Sequence, residues 1–451
     1  MKKIVFLVLL LSSAAYGQHP GTVSHVILIS IDGFHPDMYL DQSWPAPNLR
    51  LLLQRGAYAD HMTSVFPAYT YPAHTAMLTG ALPARSKILY NQPIGSKGEW
   101  NWYASYIKVP TLWQAMHQAG LTTAAVMWPG SVGGPIDYNI PEIWAIDHPD
   151  DRISETRKYA TPGLVEKIER YATGKLDSTN FNDNYLSLDE NAGRMAAYLF
   201  KTYKPSFLAL HFACVDGMEH QQGRDGDSVR LAVAADDRAI GEVLQAIERS
   251  GLKDSTTVLI VGDHGFCTIH TLFRPNMLIG YIPAHFTAAG GSAFLYRNQT
   301  TTAADAADII RSVTAALDSL PRDKRQLFRI LDRQELDRLG ADSAALLALA
   351  AVPGTVFSGS TGAVKTTNMG PGTLVQQSML QGIFTTVSGG HHGYDPSIPE
   401  MYTGFIAEGA GIIPGRHIEH LSVTDIAPLV AELLHVSFNC PDGKLVPGIL
   451  F

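Results

Sequence analysis

Three short apolar runs constrain what this 451-residue chain can fold into more than any other feature. His25–Ile31 is followed by Asp32, Phe207–Phe212 leads to Asp216, and Thr256–Val261 runs into Gly262-Asp263-His264-Gly265. A strand covered on one face alternates apolar and polar residues, whereas one covered on both faces reads as a continuous apolar run. Helical patterns separate these runs. The spacing predicts helices over residues 46–54, 111–118 and 227–250, a strand over 122–128, and a closing strand and helix over 402–407 and 423–434. This alternation predicts an α/β fold, a mostly parallel central sheet with helices on both faces. Ligands of open parallel sheets bind at the carboxyl ends of the strands. Asp32, Asp216 and Asp263 are therefore expected to converge on one edge.

The stretch from about 273 to 380 breaks the pattern. It holds a Gly290-Gly291 turn, an Ala-rich helical segment from Ala303 to Leu320, a charged stretch from Arg322 to Arg338, and Gly-rich loops from Gly354 to Gly372. It reads as a small α+β cap inserted into the catalytic domain, which occupies residues 18–451. The first 17 residues read as a signal peptide: basic Lys2 and Lys3, the apolar run Ile4–Leu11, then small residues before a cut near Gly17 or Gln18. That run is short for a bilayer span, so the mature protein is expected to be periplasmic or secreted, with no membrane span. The formal charge of the whole chain is −8, and loss of Lys2 and Lys3 makes the mature chain more acidic. No basic block suits a stable nucleic-acid partner. The three cysteines, Cys214, Cys267 and Cys440, form no disulfide framework, and Cys214 and Cys267 read as small buried hydrophobes.

Asp and His recur in tight clusters. Asp216-Gly-Met-Glu-His220 sets a carboxylate and an imidazole four residues apart, within reach of one ion from a single helical turn. Asp263-His264 offers two adjacent ligands at a strand end, and His391-His392 adds two imidazoles in a Gly-rich turn. Mixed His and Asp ligation suits zinc with open coordination positions. A second feature is Tyr69-Thr70-Tyr71-Pro72-Ala73-His74. Pro72 suits the first turn of a helix, with Thr70 just before it. A hydroxyl there sees the positive end of the helix dipole, and a bound metal can turn it into a nucleophile. Without a metal the same threonine is an ordinary N-cap.

Together these segments resemble the alkaline phosphatase superfamily, most closely its nucleotide pyrophosphatase/phosphodiesterase branch. Ile29-Ser30-Ile31-Asp32-Gly33-Phe34 is similar to the branch's first metal segment, and Thr70-Tyr71-Pro72-Ala73-His74 to its nucleophile segment. Asn91 falls at the branch's phosphate-binding asparagine, and Trp128-Pro129-Gly130-Ser131 looks like another of its segments. Asp216 to His220, Asp263-His264 and His392-Gly393-Tyr394-Asp395 follow in matching order. The resemblance implies two zinc ions, one held by Asp216, His220 and His392, the other by Asp32, Asp263 and His264 with Thr70 bridging. It makes His391 a neighbour of the site. It also implies a phospho-threonine intermediate at Thr70, with Asn91 and an amide near Thr70 stabilising the phosphoryl oxygens. The substrate would be a small phosphate ester, a nucleotide or another phosphodiester, with Tyr71 among the substrate-binding residues. Two positions depart from the branch: Tyr71 replaces a phenylalanine, and His211 stands in place of a base-stacking tyrosine, which leaves a His211–Tyr71 sandwich around a base open.

The alternatives are a phosphomonoesterase or phosphonate hydrolase of the same superfamily. Outside enzymes, the alternative is an exported metal- or phosphate-binding protein. A sulfatase is excluded by the lack of a Cys/Ser-x-Pro-x-Arg segment. A monoesterase needs cations at the site, for which Arg85 and Lys87 are the nearest candidates in sequence.

Overall fold

The computed structural model describes residues 22–182, 184–299, 301–361 and 382–451. The expected signal peptide and part of the Gly-rich loops lie outside these residues. The central sheet has eight strands, in the order His417–Ser422, Ala57–Thr63, Phe405–Gly409, Thr256–Gly262, His25–Ile31, Phe207–Phe212, Thr123–Val126, Tyr138–Ile140. Every neighbouring pair is parallel except those made by Phe405–Gly409, which runs against both of its neighbours.

The two-sided burial read from the sequence divides the core. In the central strands Ile27, Ile29, Leu208, Leu210 and Phe212 point to one face, among the apolar sides of the helices Ser187–Tyr203 and Asp227–Arg249. Val26, Leu28, Phe207 and Ala209 point to the other, against Ala76, Met77 and Leu78 of the helix Thr70–Thr79 and Leu429 and Val430 of Ile426–Leu433. Each fully buried aliphatic side chain contributes roughly 1.5–3 kcal/mol, so a charge placed at Leu28 or Leu210 would break the fold from either face.

The predicted strands His25–Ile31 and Phe207–Phe212 match the observed bounds, and the predicted helix at 227–250 ends one residue earlier, at Arg249. Thr111 caps the helix Leu112–Gln118 through a reciprocal pair: its hydroxyl accepts from the Gln114 amide, and the Gln114 side chain accepts from the Thr111 amide at 2.9 Å. The closing strand begins at Phe405, three residues later than expected. Thr403 instead exchanges two backbone hydrogen bonds with Met62, each 2.8 Å, and the chain turns at Gly404 before joining the ladder.

Between Thr271 and Thr386 the chain builds two smaller sheets. One is an antiparallel four-stranded sheet in the order Phe328–Leu331, Leu347–Ala351, Ser292–Arg297, Ala284–Ala289. The helix Ala306–Asp318 packs Ile309, Val313 and Leu317 into the same small core. The other joins Thr355–Phe357, Thr271–Phe273 and Phe384–Thr386. Cys214 and Cys267 are buried and Cys440 half-buried, all three with free thiols.

Candidate active site and metal centre

Strand register assembles the first part of the site. Ile31 pairs with Gly262 in the parallel ladder, so the next residues, Asp32 and Asp263, emerge side by side. The Gly33 amide donates to Asp263 Oδ1 at 3.1 Å, which locks the two strand ends together. His264 follows directly, its Nε2 3.3 Å from Asp32 Oδ1, 3.1 Å from Asp263 Oδ2 and 3.4 Å from Thr70 Oγ1. Thr70 is the first residue of its helix and Tyr69 the N-cap, so Thr70 does not precede the helix as expected. Pro72 sits at the third helical position, where its missing N–H costs no intrahelical bond, and this lets the helix begin earlier. No side-chain cap is made at this helix start, so the Thr70 hydroxyl is not spent on capping.

The second part comes from the helix Cys214–Gln222, which follows the strand Phe207–Phe212. Asp216 therefore lies in a helical first turn, where His220 Nε2, one turn on, is 3.4 Å from its Oδ2. His392 Nε2 is 3.6 Å from Asp216 Oδ1, and the His392 ring stacks on that of His264 at 3.8 Å between centroids. Ligand atoms of Asp32, Asp263 and His264 all lie within 4.8 Å of one another, as do those of Asp216, His264 and His392. The two sets share His264, and His220 joins the second through Asp216. His391 belongs to neither set. Its ring stands 4.9 Å from that of His220, and burial followed by the nearby His220 lowers its pKa to about 3.

The outer nitrogens of the three imidazoles follow one rule. Nδ1 of His220 lies 3.1 Å from the Gly390 carbonyl, that of His264 3.2 Å from the Gly265 carbonyl, and that of His392 3.0 Å from the Ala68 carbonyl. A carbonyl only accepts, so each Nδ1 carries a proton, and in the neutral ring each Nε2 is a lone-pair donor facing carboxylates. Metal-ligating histidines are oriented by such partners. Electrostatics agree. Burial and then the neighbouring Asp216 push the Asp32 carboxyl well above its usual range, and burial and then Asp32 do the same to Asp263. Burial and the surrounding imidazoles push His264 and His392 well down. Crowded carboxylates and neutral imidazoles are a donor set that fits a divalent cation.

A buried layer lies behind the ligands. His74 is 2.8 Å from the Thr70 carbonyl through Nδ1 and 3.7 Å from Asp263 Oδ2. His211 Nε2 lies 3.2 Å from Asp32 Oδ2, and its Nδ1 donates to the Met127 carbonyl at 3.1 Å. This overturns the His211–Tyr71 sandwich: His211 is 1% exposed and held beneath Asp32, and Tyr71 is equally buried. The Tyr71 hydroxyl donates to Glu142 at 2.8 Å, and its ring meets Trp100 edge-on at 5.5 Å. Glu142 in turn lies 3.6 Å from Arg152, whose guanidinium covers the Trp144 ring. The sequence reading missed Glu142, Arg152 and the role of His211. Strand alternation groups His211 with Phe207 and Ala209, a signal that it lies on the face covered by the Thr70 helix; Glu142 and Arg152 carry no such signal. Asn91 Oδ1 accepts the Tyr71 amide at 3.0 Å, so that amide is unavailable to a phosphoryl group and Asn91 keeps its side-chain NH2 as the donor. Arg85 is turned away, its Nε bonded to Asp442 at 3.0 Å.

The Gly390–His391 and Cys267–Thr268 segments pair, laying the His392 loop over the Asp216 helix. The Gly291 amide donates to the His392 carbonyl at 3.0 Å, and the Gly393 amide to the Ala68 carbonyl at 2.9 Å. His392 is thus gripped between the hairpin turn of the small sheet and the segment before Thr70.

Among solved structures the fold is similar to human ectonucleotide pyrophosphatase/phosphodiesterase 5, with a TM-score of 0.66 and 19% identity over 93% of this chain and 97% of that one. It is also similar to the murine protein of the same name, an inactive threonine-to-alanine variant in complex with AMP, with a TM-score of 0.63 and 18% identity over 92% and 96%. Among curated proteins, bis(5'-adenosyl)-triphosphatase ENPP4 of Mus musculus is 24% identical over 93% of this chain and 79% of its own length. Human ectonucleotide pyrophosphatase/phosphodiesterase family member 5 is 22% identical over 93% and 76%. The family described as type I phosphodiesterase / nucleotide pyrophosphatase matches residues 26–395, so the chain belongs to that family of hydrolases, which act on phosphodiester and pyrophosphate bonds.

Proposed function

We propose that this protein is an exported two-zinc phosphodiesterase or nucleotide pyrophosphatase in which Thr70 is the nucleophile. The observation that carries the reading is the common orientation of His220, His264 and His392: each Nδ1 is tied to a backbone carbonyl and each Nε2 faces carboxylates. In this reading Asp32, Asp263 and His264, with Thr70, would hold one zinc, and Asp216, His220 and His392 the other. When bound, the ions lower the pKa of an attacking oxygen and neutralise charge on phosphoryl and leaving oxygens. The chain's own part is positional. The helix start presents the Thr70 hydroxyl 3.4 Å from His264 Nε2, at the positive end of the helix dipole. Asn91, fixed by the Tyr71 amide, offers its NH2 to a non-bridging phosphoryl oxygen. Thr70 Oγ1 displaces the leaving alcohol or phosphate from phosphorus, and water then cleaves the phospho-threonine.

A diester is favoured over a monoester dianion by charge. Arg152 reaches the nucleophile segment through Glu142 and Tyr71, and its charge is met by Glu142. A nucleotide substrate is supported by the AMP complex of the murine structure, and a threonine nucleophile by the inactivity of its threonine-to-alanine variant. Export rests on the leader at residues 1–17. No helix among the described residues is long and apolar enough to cross a membrane.

The test compares a chromogenic phosphodiester with its matched monoester, with zinc present. The reading expects higher kcat/KM on the diester and a loss of at least about a thousandfold in Thr70→Ala. A preference for the monoester overturns the diesterase reading, and an undiminished Thr70→Ala overturns the nucleophile. A metal-binding protein without turnover would show neither activity. N-terminal sequencing of exported protein should begin near Gln18; retention of Met1 in the exported form overturns the leader.

A further inference from the structure

We infer that Asp189 is a positioning residue for the metal-bearing helix Cys214–Gln222, setting the affinity of the ion held by Asp216, His220 and His392. The inference rests on the two-metal reading above. The helix opens at Ala213, which has no side chain to cap it, although Asp216 sits in its first turn, where amides lack intrahelical partners. The cap is supplied from elsewhere. Asp189, in the first turn of the helix Ser187–Tyr203, accepts the Ala213 amide at 3.0 Å on Oδ1 and the Cys214 amide at 2.7 Å on Oδ2. Two helix N-termini therefore converge on one buried carboxylate, 1% exposed. Asp236, wholly buried in the helix Asp227–Arg249, faces it from behind. The grip ends two residues before Asp216, so loss of the cap frays the turn that aims this ligand.

The molecule contains its own control. Asp237, the next residue on the same helix, accepts the Asn48 amide at 3.1 Å and the Leu49 amide at 2.9 Å. It caps Pro47–Arg55, a helix that carries no residue of the site. Removing either cap should lower the unfolding temperature comparably, but only the Asp189 cap should alter metal binding.

The experiment titrates the metal-free full chain with zinc alone against a chromophoric chelator, alongside thermal unfolding. His220→Ala identifies the class of ion belonging to the Asp216 set. Asp189→Ala is expected to weaken that same class about 10- to 100-fold and to leave the other unchanged. Asp189→Asn, which keeps one acceptor oxygen, should fall between, and carries the test if the alanine variant does not fold. Asp237→Ala should lose stability and keep both affinities. Folded Asp189 variants with zinc affinities indistinguishable from those of Asp237→Ala overturn the inference while leaving the two-metal reading intact. A wild-type chain that takes up no zinc overturns both.

Discussion

His211 supports Asp32 from below: its Nε2 is 3.2 Å from the carboxylate while the Met127 carbonyl fixes the far side of the ring at 3.1 Å. A histidine at a position where relatives are expected to stack a base is here part of the scaffold of a candidate metal ligand. His211→Ala should therefore weaken zinc binding by about 10- to 100-fold and lower kcat. His211→Gln, whose side-chain amide can still hydrogen-bond Asp32, should recover part of both. Chelator competition and steady-state kinetics measure these effects. A raised KM for nucleotide substrates with zinc affinity unchanged would restore the stacking role.

Tyr71 and Glu142 form a buried pair beside Thr70, 2.8 Å from oxygen to oxygen. Removing the hydroxyl leaves a buried carboxylate short of a donor, so Tyr71→Phe should cost about 1–3 kcal/mol in denaturant unfolding. Tyr71→Phe combined with Glu142→Gln should cost less than the sum of the single changes, because the interaction is lost once. Additive costs would mean that the two side chains do not interact in solution.

The carboxyl pair Asp189–Asp236 gives a pH signature. Burial, followed by the charge of Asp189, pushes Asp236 well above the carboxylate range, and burial also raises Asp189. A raised folded pKa means that the folded chain holds more protons than the unfolded one. The contribution is fully present below the unfolded value of 3.8 and is lost as pH rises through the folded titration. Asp236→Asn cannot ionise, so it removes part of this loss. Its melting temperature relative to wild type should become more favourable from acidic to neutral pH. A difference that is flat across that range would remove Asp236 as the source.

Gly33 turns the chain out of the first strand at φ 76°. A Cβ there would strain a left-handed backbone and collide with the buried Glu219 carboxylate. Gly33→Ala should lose more than about 1 kcal/mol in urea unfolding and loosen the Asp32–Asp263 set. Unchanged stability would mean that Glu219 yields freely.

Burial on both faces makes two central strands legible to the residue and the strand Thr256–Gly262 to within one, because a short apolar run flanked by turn residues is what a strand covered on both faces requires. The candidate ligands are legible as clusters because each lies at a strand end or within one helical turn. What escaped was the support behind them. Motif position alone assigns His211 to a base, whereas strand alternation places it with Ala209 on the face of the Thr70 helix. Asp189, Glu142 and Arg152 act over long sequence separations, Asp189 across 25 residues to Cys214, and no local period announces such contacts. The start of the Thr70 helix was misplaced because proline is tolerated throughout a first turn, which fixes a helix start only loosely.

The hairpin turn at Gly290-Gly291 touches the back of His392 through a 3.0 Å hydrogen bond, and a side chain at Gly290 would strike the His392 carbonyl. The small sheet therefore cannot be exchanged as an independent cassette. A graft that replaces residues 284–351 must bring its own match to the His392 loop, which otherwise loses the Gly291 hydrogen bond. Diversity in the small sheet is bounded by its contacts with this loop, the Gly291 hydrogen bond to His392 and the Arg329–Asp395 ion pair among them.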